Sequence, residues 1–300
     1  MAEELPGLER QPDAMERIAV EGGEVMTYSF GDGDEVLLLA NGGPGIPCDY
    51  MRDSHSHLAD EGYRVVTWDQ LGVGRSDKPT DRALWTIERY ARELDQVCTG
   101  LGLGPVHLLG QSWGGWLAIE YALTFPEGVK TLTLSNTAGD LPHLVEELNR
   151  LRSGLGPETV TMMMKREAEG SIDHPEYLAA VEVLNWRHVH RLEKMPPALQ
   201  RSMDGMVFDI YNTMQGPNEF VYIGNLKDWN RVPDMHRITQ PAYIIVGEHD
   251  ELTPDCAMKM HHALPCSTIQ VFKDASHSTC FETPEPYFEG LLSFLGKHHG

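Results

Sequence analysis

Basic residues are scarce in this chain. Lysine and arginine together number 24 against 45 aspartates and glutamates, a formal net charge of −21 at neutral pH. Such a field argues against nucleic acid and anionic membranes as partners, because both present negative phosphates. Cysteine is also sparse. Cys48, Cys98, Cys256, Cys266 and Cys280 are odd in number and lack CxxC spacing, which argues against a disulfide framework and a zinc site. Long apolar runs are missing as well. The stretch Val36-Leu37-Leu38-Leu39-Ala40 falls far short of the ~20 residues that span a bilayer. The N-terminal MAEELPGLERQPD is acidic and without an apolar stretch, so no signal peptide is expected and a cytoplasmic location is.

What is present suits an ordinary globular chain. Its 300 residues, 41% of them hydrophobic, can bury a large core without metal or disulfide support. Up to Thr137 short strands alternate with helical stretches. Glu24 to Phe30, Glu35 to Ala40, Tyr63 to Trp68, Val106 to Leu109 and Lys130 to Ser135 read as strands, with Gly31-Asp32-Gly33-Asp34 as a hairpin turn between the first two. Ile87 to Leu101 and Gly114 to Thr124 read as helices. This rhythm predicts an α/β fold, a mainly parallel central sheet with helices on both faces. It stops after Thr137 and resumes with the strand Ala242 to Val246, a helix from Asp255, the strand Thr268 to Phe272 and a last helix from Pro284. The expected organisation is therefore a core domain of residues 1–137 and 240–300 with a helical cap domain of residues 138–239.

The chemistry sits at the strand ends. Gly110-Gln111-Ser112-Trp113-Gly114 fits G-x-S-x-G and lies between a strand and a helix, the setting of a nucleophile elbow. A serine hydroxyl needs a base to take its proton, and in this arrangement the acid and the histidine follow the serine in that order. Asp250 and His277 lie just past consecutive strands, on the sheet edge that carries Ser112. The expected roles are Ser112 as nucleophile, His277 as general base and Asp250 as the group that orients it. Glu248 and Glu251 are neighbouring carboxylates that could stand in for Asp250. The oxyanion donors are expected to be the backbone N–H of Trp113 and that of Gly43, with Gly42 as the alternative, in the turn Asn41-Gly42-Gly43-Pro44-Gly45. The histidine pairs His55 and His57, His188 and His190, and His261 and His262 lack supporting carboxylates or cysteines, so they read as exposed or cap histidines and no metal is expected.

Together these segments resemble the proline iminopeptidase family of α/β-hydrolases. Its His-Gly-Gly-Pro-Gly loop is matched by Asn41 to Gly45, its D-Q-x-G-x-G-x-S segment by Asp69 to Ser76, and its G-x-S-[WY]-G-G elbow by Gly110 to Gly115. The similarity continues through Gly216-Pro217-Asn218-Glu219-Phe220, Lys227-Asp228-Trp229, Gly247 to Pro254 and Ser276-His277. It implies the α/β-hydrolase fold and a pair of acidic residues, Glu219 and Glu251, that grip the free α-amino group of the substrate. The loop's leading histidine is Asn41 here, a change that bears on the loop's hydrogen bonding and the first substrate subsite.

The expected function is thus cleavage of the amide bond after an N-terminal residue with a free amine, by an aminopeptidase or amino-acid amidase without a cofactor. Its partner would be a small molecule or short peptide. The alternative is an esterase or lactonase using the same three residues. Met162-Met163-Met164, Met203 and Met206 would give the cap adaptable apolar surface, or simply core packing.

Overall fold

The computed structural model describes residues 5, 7, 8 and 10–299. Its centre is an eight-stranded sheet in the order β1-β2-β4-β3-β5-β6-β7-β8. The strands are β1 (Ala14–Val20), β2 (Gly23–Phe30), β3 (Glu35–Ala40), β4 (Tyr63–Asp69), β5 (Val106–Gln111), β6 (Val129–Ser135), β7 (Ala242–Gly247) and β8 (Ser267–Phe272). Strands β3 to β8 run parallel, and β2 pairs antiparallel with both β1 and β4.

The helices are α1 (Asp49–His55), α2 (Ile87–Gly100), α3 (Trp113–Thr124), α4 (Leu141–Ser153), α5 (Pro157–Glu169), α6 (Pro175–Leu184), α7 (Pro197–Asp204), α8 (Phe208–Met214), α9 (Pro254–Ala263), α10 (Thr279–Glu282) and α11 (Pro284–Gly296). Those from α4 to α8 lie between β6 and β7 in sequence. Here the only pairings among the described residues are the isolated bridges Asp140–Asn230 and Asn218–Val221. Among the described residues no helix is long and apolar enough to cross a membrane.

Alternation along the strands explains why both sheet faces are covered. In β3, Leu38 and Ala40 join a core with Leu94 and Val97 of α2 and Leu117 of α3. Leu37 and Leu39 face the other way, into a core with Met51 of α1 and Leu291 and Leu295 of α11. Each fully buried leucine of this kind contributes about 1.5–3 kcal/mol. Helix α2 buries Ile87, Tyr90, Ala91, Leu94 and Val97 at helical spacing, and the Thr86 side chain caps its first turn by accepting from Arg89 N. Helix α3 is buried on nearly every side, as expected for a helix that is apolar all round.

One sequence expectation is corrected here. Gly31 to Asp34 is not a hairpin turn, because β4 lies between β2 and β3 in the sheet. The link packs against the start of β4, where a Cβ on Gly33 would sit 2.0 Å from Gly62 O. Glycine and aspartate favour a reversal of chain direction, but strand pairing decides which strand the chain returns beside. The true hairpin joins β2 to β1, a strand that the alternation reading had passed over.

Candidate active site

Strand β5 ends at Gln111 and α3 begins at Trp113, leaving Ser112 alone at the turn. Its φ of 56° and ψ of −125° place a non-glycine residue in a sparsely populated region, a strain that clusters at functional sites. The flanking glycines are sterically required. A Cβ on Gly110 would lie 2.1 Å from Gly114 O, and one on Gly114 would lie 2.0 Å from Ala40 O. The turn is pinned by Ser112 N donating to Ser135 O at 3.0 Å and by Thr137 Oγ1 donating to Ser112 O at 2.8 Å.

The two partners predicted from sequence converge on it. His277 Nδ1 lies 2.9 Å from Asp250 Oδ1, and Ser112 and His277 line one cavity of about 410 Å³. Asp250 is buried and held by Leu252 N at 3.0 Å and Asn136 Nδ2 at 2.7 Å. Burial works against a charged imidazole at His277. Asp250, with Glu219 and Glu282 behind it, outweighs that effect and leaves the His277 pKa above its ordinary value. Glu248, by contrast, is exposed at the surface.

Gly42 and Gly43 of the Asn41 to Gly45 turn lie on the same cavity wall. Gly42 N donates to Tyr50 Oη at 2.5 Å, so this N–H is spoken for, while Gly43 N has no hydrogen-bond partner among the described residues. Trp113 N is the first N–H of α3, an orphan donor by position.

Glu219 also lines the cavity, its carboxylate accepting from Tyr211 Oη at 2.7 Å and from Gln215 Nε2 at 2.9 Å. Glu251 sits behind the histidine, fully buried, with Oε1 3.3 Å from His277 Nδ1. Among the described residues neither Glu251 oxygen has a hydrogen-bond partner. Burial first, then the charges of Asp250 and Glu219, pushes its carboxyl well above the ordinary range. Burial without a hydrogen bond to it disfavours the charged form of this carboxyl. Asp250, Glu251 and His277 bring potential metal-ligand atoms within 4.8 Å of one another, but the Nδ1 atom facing the carboxylates is already engaged by Asp250.

Comparison with known proteins now decides the family. Residues 35–284 match the alpha/beta hydrolase fold family. A proline iminopeptidase of Heyndrickxia coagulans is 36% identical over 284 residues, covering 93% of this chain and 98% of the relative. The crystal structure of a proline iminopeptidase from Mycobacterium smegmatis superposes with a TM-score of 0.88 at 32% identity, covering 95% and 98% of the two chains. That of VinJ gives a TM-score of 0.90 at 31% identity, with 96% and 100% covered.

The chain belongs to the proline iminopeptidase family of α/β-hydrolases. It is a peptidase-type hydrolase, and the family's motifs acquire physical reasons in its fold. Asp69 accepts from Tyr28 Oη at 2.7 Å, Cys48 N at 3.1 Å and Arg75 N at 2.9 Å, which ties two loops to the end of β4. Gln70 Oε1 accepts from Trp113 Nε1 at 2.9 Å, and its Nε2 reaches Asn41. Asn41, where the family has histidine, donates from Nδ2 to both Gly42 O and Ile46 O at 2.8 Å. Its side chain braces the Asn41 to Gly45 turn and has no N–H left to point into the cavity.

Sequence reasoning missed several participants. Asn136 follows β6 as Asp250 follows β7, and the same strand-end rule would have found it. Gln111 carried no signal beyond its place in the elbow motif, and Tyr50 lies outside every motif. The reading of the histidine pairs as exposed or cap residues fails at His55, which is buried, bonded to Tyr287 Oη at 3.1 Å, and held by burial at a pKa down to about 3. His188 and His190 belong to a π-helical turn, Asn185–Val189, and its exit. This segment is stitched over the site by His277 N donating to His188 O at 3.1 Å and Ser278 Oγ donating to Val189 O at 3.0 Å. Of the methionines singled out, Met203 lines the cavity and is joined there by Met195, whereas Met163 is core.

Proposed function

We propose that this chain is a serine aminopeptidase or amino-acid amidase that releases an N-terminal residue bearing a free amine. Ser112 Oγ attacks the scissile carbonyl carbon while His277 Nε2 takes its proton, and Asp250 steadies the imidazolium. The oxyanion is held by the Gly43 and Trp113 N–H groups. Collapse of the tetrahedral adduct breaks the C–N bond as His277 protonates the leaving amine. Water, deprotonated by the same histidine, then hydrolyses the acyl-Ser112 ester. In this scheme residues 138–239 act as a cap domain that supplies the walls of the specificity pocket.

The observation that carries the amine-directed reading is the Glu251 carboxyl, buried beside the base with neither oxygen hydrogen-bonded among the described residues. Together with Glu219 on the cavity wall it offers an ammonium two carboxylates and charge-assisted hydrogen bonds. The test compares an aminoacyl 4-nitroanilide with its N-acetylated form. A strong preference for the free amine is expected. Equal rates on both would remove the role given to Glu219 and Glu251 and favour an esterase or lactonase built on the same three residues.

A further inference from the structure

Gln111, the residue before the nucleophile, has a role in the reaction that rests on the reading of Ser112 and His277 above. It is buried at the end of β5. Its Nε2 lies 3.2 Å from His277 Nε2 and 3.3 Å from His277 O. Its Oε1 accepts from Tyr50 Oη, and Tyr50 Oη in turn accepts from Gly42 N. Because a carbonyl can only accept, His277 O fixes which end of the amide faces the histidine. The amide nitrogen can only donate, so His277 Nε2 must offer its lone pair, and the ring proton must sit on Nδ1 toward Asp250. This is the tautomer a general base requires. Ser112 Oγ meanwhile has no hydrogen bond among the described residues, so in the resting site the lone pair is held by Gln111 rather than by the nucleophile.

We infer that Gln111 is a positioning residue for the base. It selects the Nδ1–H tautomer, keeps Nε2 unprotonated, and links it through Tyr50 to the oxyanion turn. The carboxylates that favour the imidazolium are Asp250 after β7, Glu219 from the segment between β6 and β7, and Glu282 of α10; Glu251 also faces the ring, its carboxyl pushed toward the neutral form by burial. His188 and His190, from the π-helical turn over the site, are held toward their neutral forms by burial and add no fixed positive charge. Gln111 acts against the carboxylates, since protonated Nε2 would meet an amide NH2 group head-on. Its hold is a single neutral hydrogen bond, weak enough for Ser112 to take over when substrate arrives.

The test titrates the His277 ring by 15N NMR and, in parallel, follows Ser112 labelling by a fluorophosphonate between pH 5 and 9. Labelling needs the base but no amine recognition. Gln111→Met keeps length and removes the donor, and should move the His277 midpoint and the acid limb of labelling up by about half to one pH unit. Gln111→Glu, which accepts rather than donates, should move both further in the same direction. Tyr50→Phe, which loosens the amide without touching it, should give a smaller upward shift and guards against misfolding of the first variant. An unmoved His277 midpoint in Gln111→Met and Tyr50→Phe would overturn the inference. A wild type that titrates normally but is never labelled at Ser112 would instead overturn the nucleophile reading on which it rests.

Discussion

The sheet's C-terminal edge and the helical segment between β6 and β7 answer to different demands. At the edge, the groups proposed to react are buried and tied down: Asp250 by Asn136 and Leu252, and Ser112 by Ser135 and Thr137. The helical segment instead carries nearly all the exposed large apolar side chains, including Met164, Leu178, Trp186, Met195, Met203, Phe208 and Ile223, against Val271 elsewhere. It is also the source of Glu219, Trp186, Met195 and Met203 on the cavity wall. On the proposed reading, chemistry that needs fixed geometry is built on strand ends, and selectivity on a layer that can change without moving the reacting atoms.

Substitutions at the edge should be the most damaging. Ser112→Ala is expected to lower kcat about 10⁶-fold and Asp250→Asn about 10⁴-fold, with unchanged circular dichroism. A Ser112→Ala protein that retained more than a few per cent of its activity would undo the distinction between the regions. Glu219→Gln should cost roughly 10- to 100-fold in kcat/KM on free-amine amides, the weight of a charged hydrogen bond, and leave a simple ester unaffected. Equal losses on both substrates would make Glu219 part of the reacting machinery rather than of recognition.

Proton linkage sharpens the same line. The Glu251 carboxyl is raised in the resting site, and a bound ammonium would pull it down, so binding an amine expels a proton. KM for the amine should therefore fall as pH rises, by up to about tenfold per unit below the Glu251 midpoint, while KM for a neutral ester stays flat. Parallel pH curves for the two substrates would show that no such coupling exists.

Smaller effects are expected away from these groups. Asn41→Ala removes both braces of the oxyanion turn and should cost about 1–3 kcal/mol in urea unfolding, together with a lower kcat. Trp186→Ala, at an exposed cavity rim, should change stability by no more than about 0.5 kcal/mol and alter only the ranking of bulky apolar substrates.

Much of the fold and site was legible because the signals are local. Strand alternation, the glycines that the elbow requires and the order Ser112, Asp250, His277 are each short-range consequences of backbone sterics and strand-end placement. The alternation of strands with helices up to Thr137 tells that both faces are covered, and the break in that rhythm marks the helical segment. The sequence by itself therefore determined the fold class, the elbow and the three residues to look for. Tertiary structure alone decided that Gly31 to Asp34 crosses over β4, since pairing depends on a distant strand. It also decided that Gln111 meets His277 across 166 positions, and that Glu251 lies buried without a hydrogen bond among the described residues while its neighbour Asp250 is bonded to Leu252, Asn136 and His277. Burial and partner choice belong to what the folded chain brings together, and no property of a single residue type specifies them.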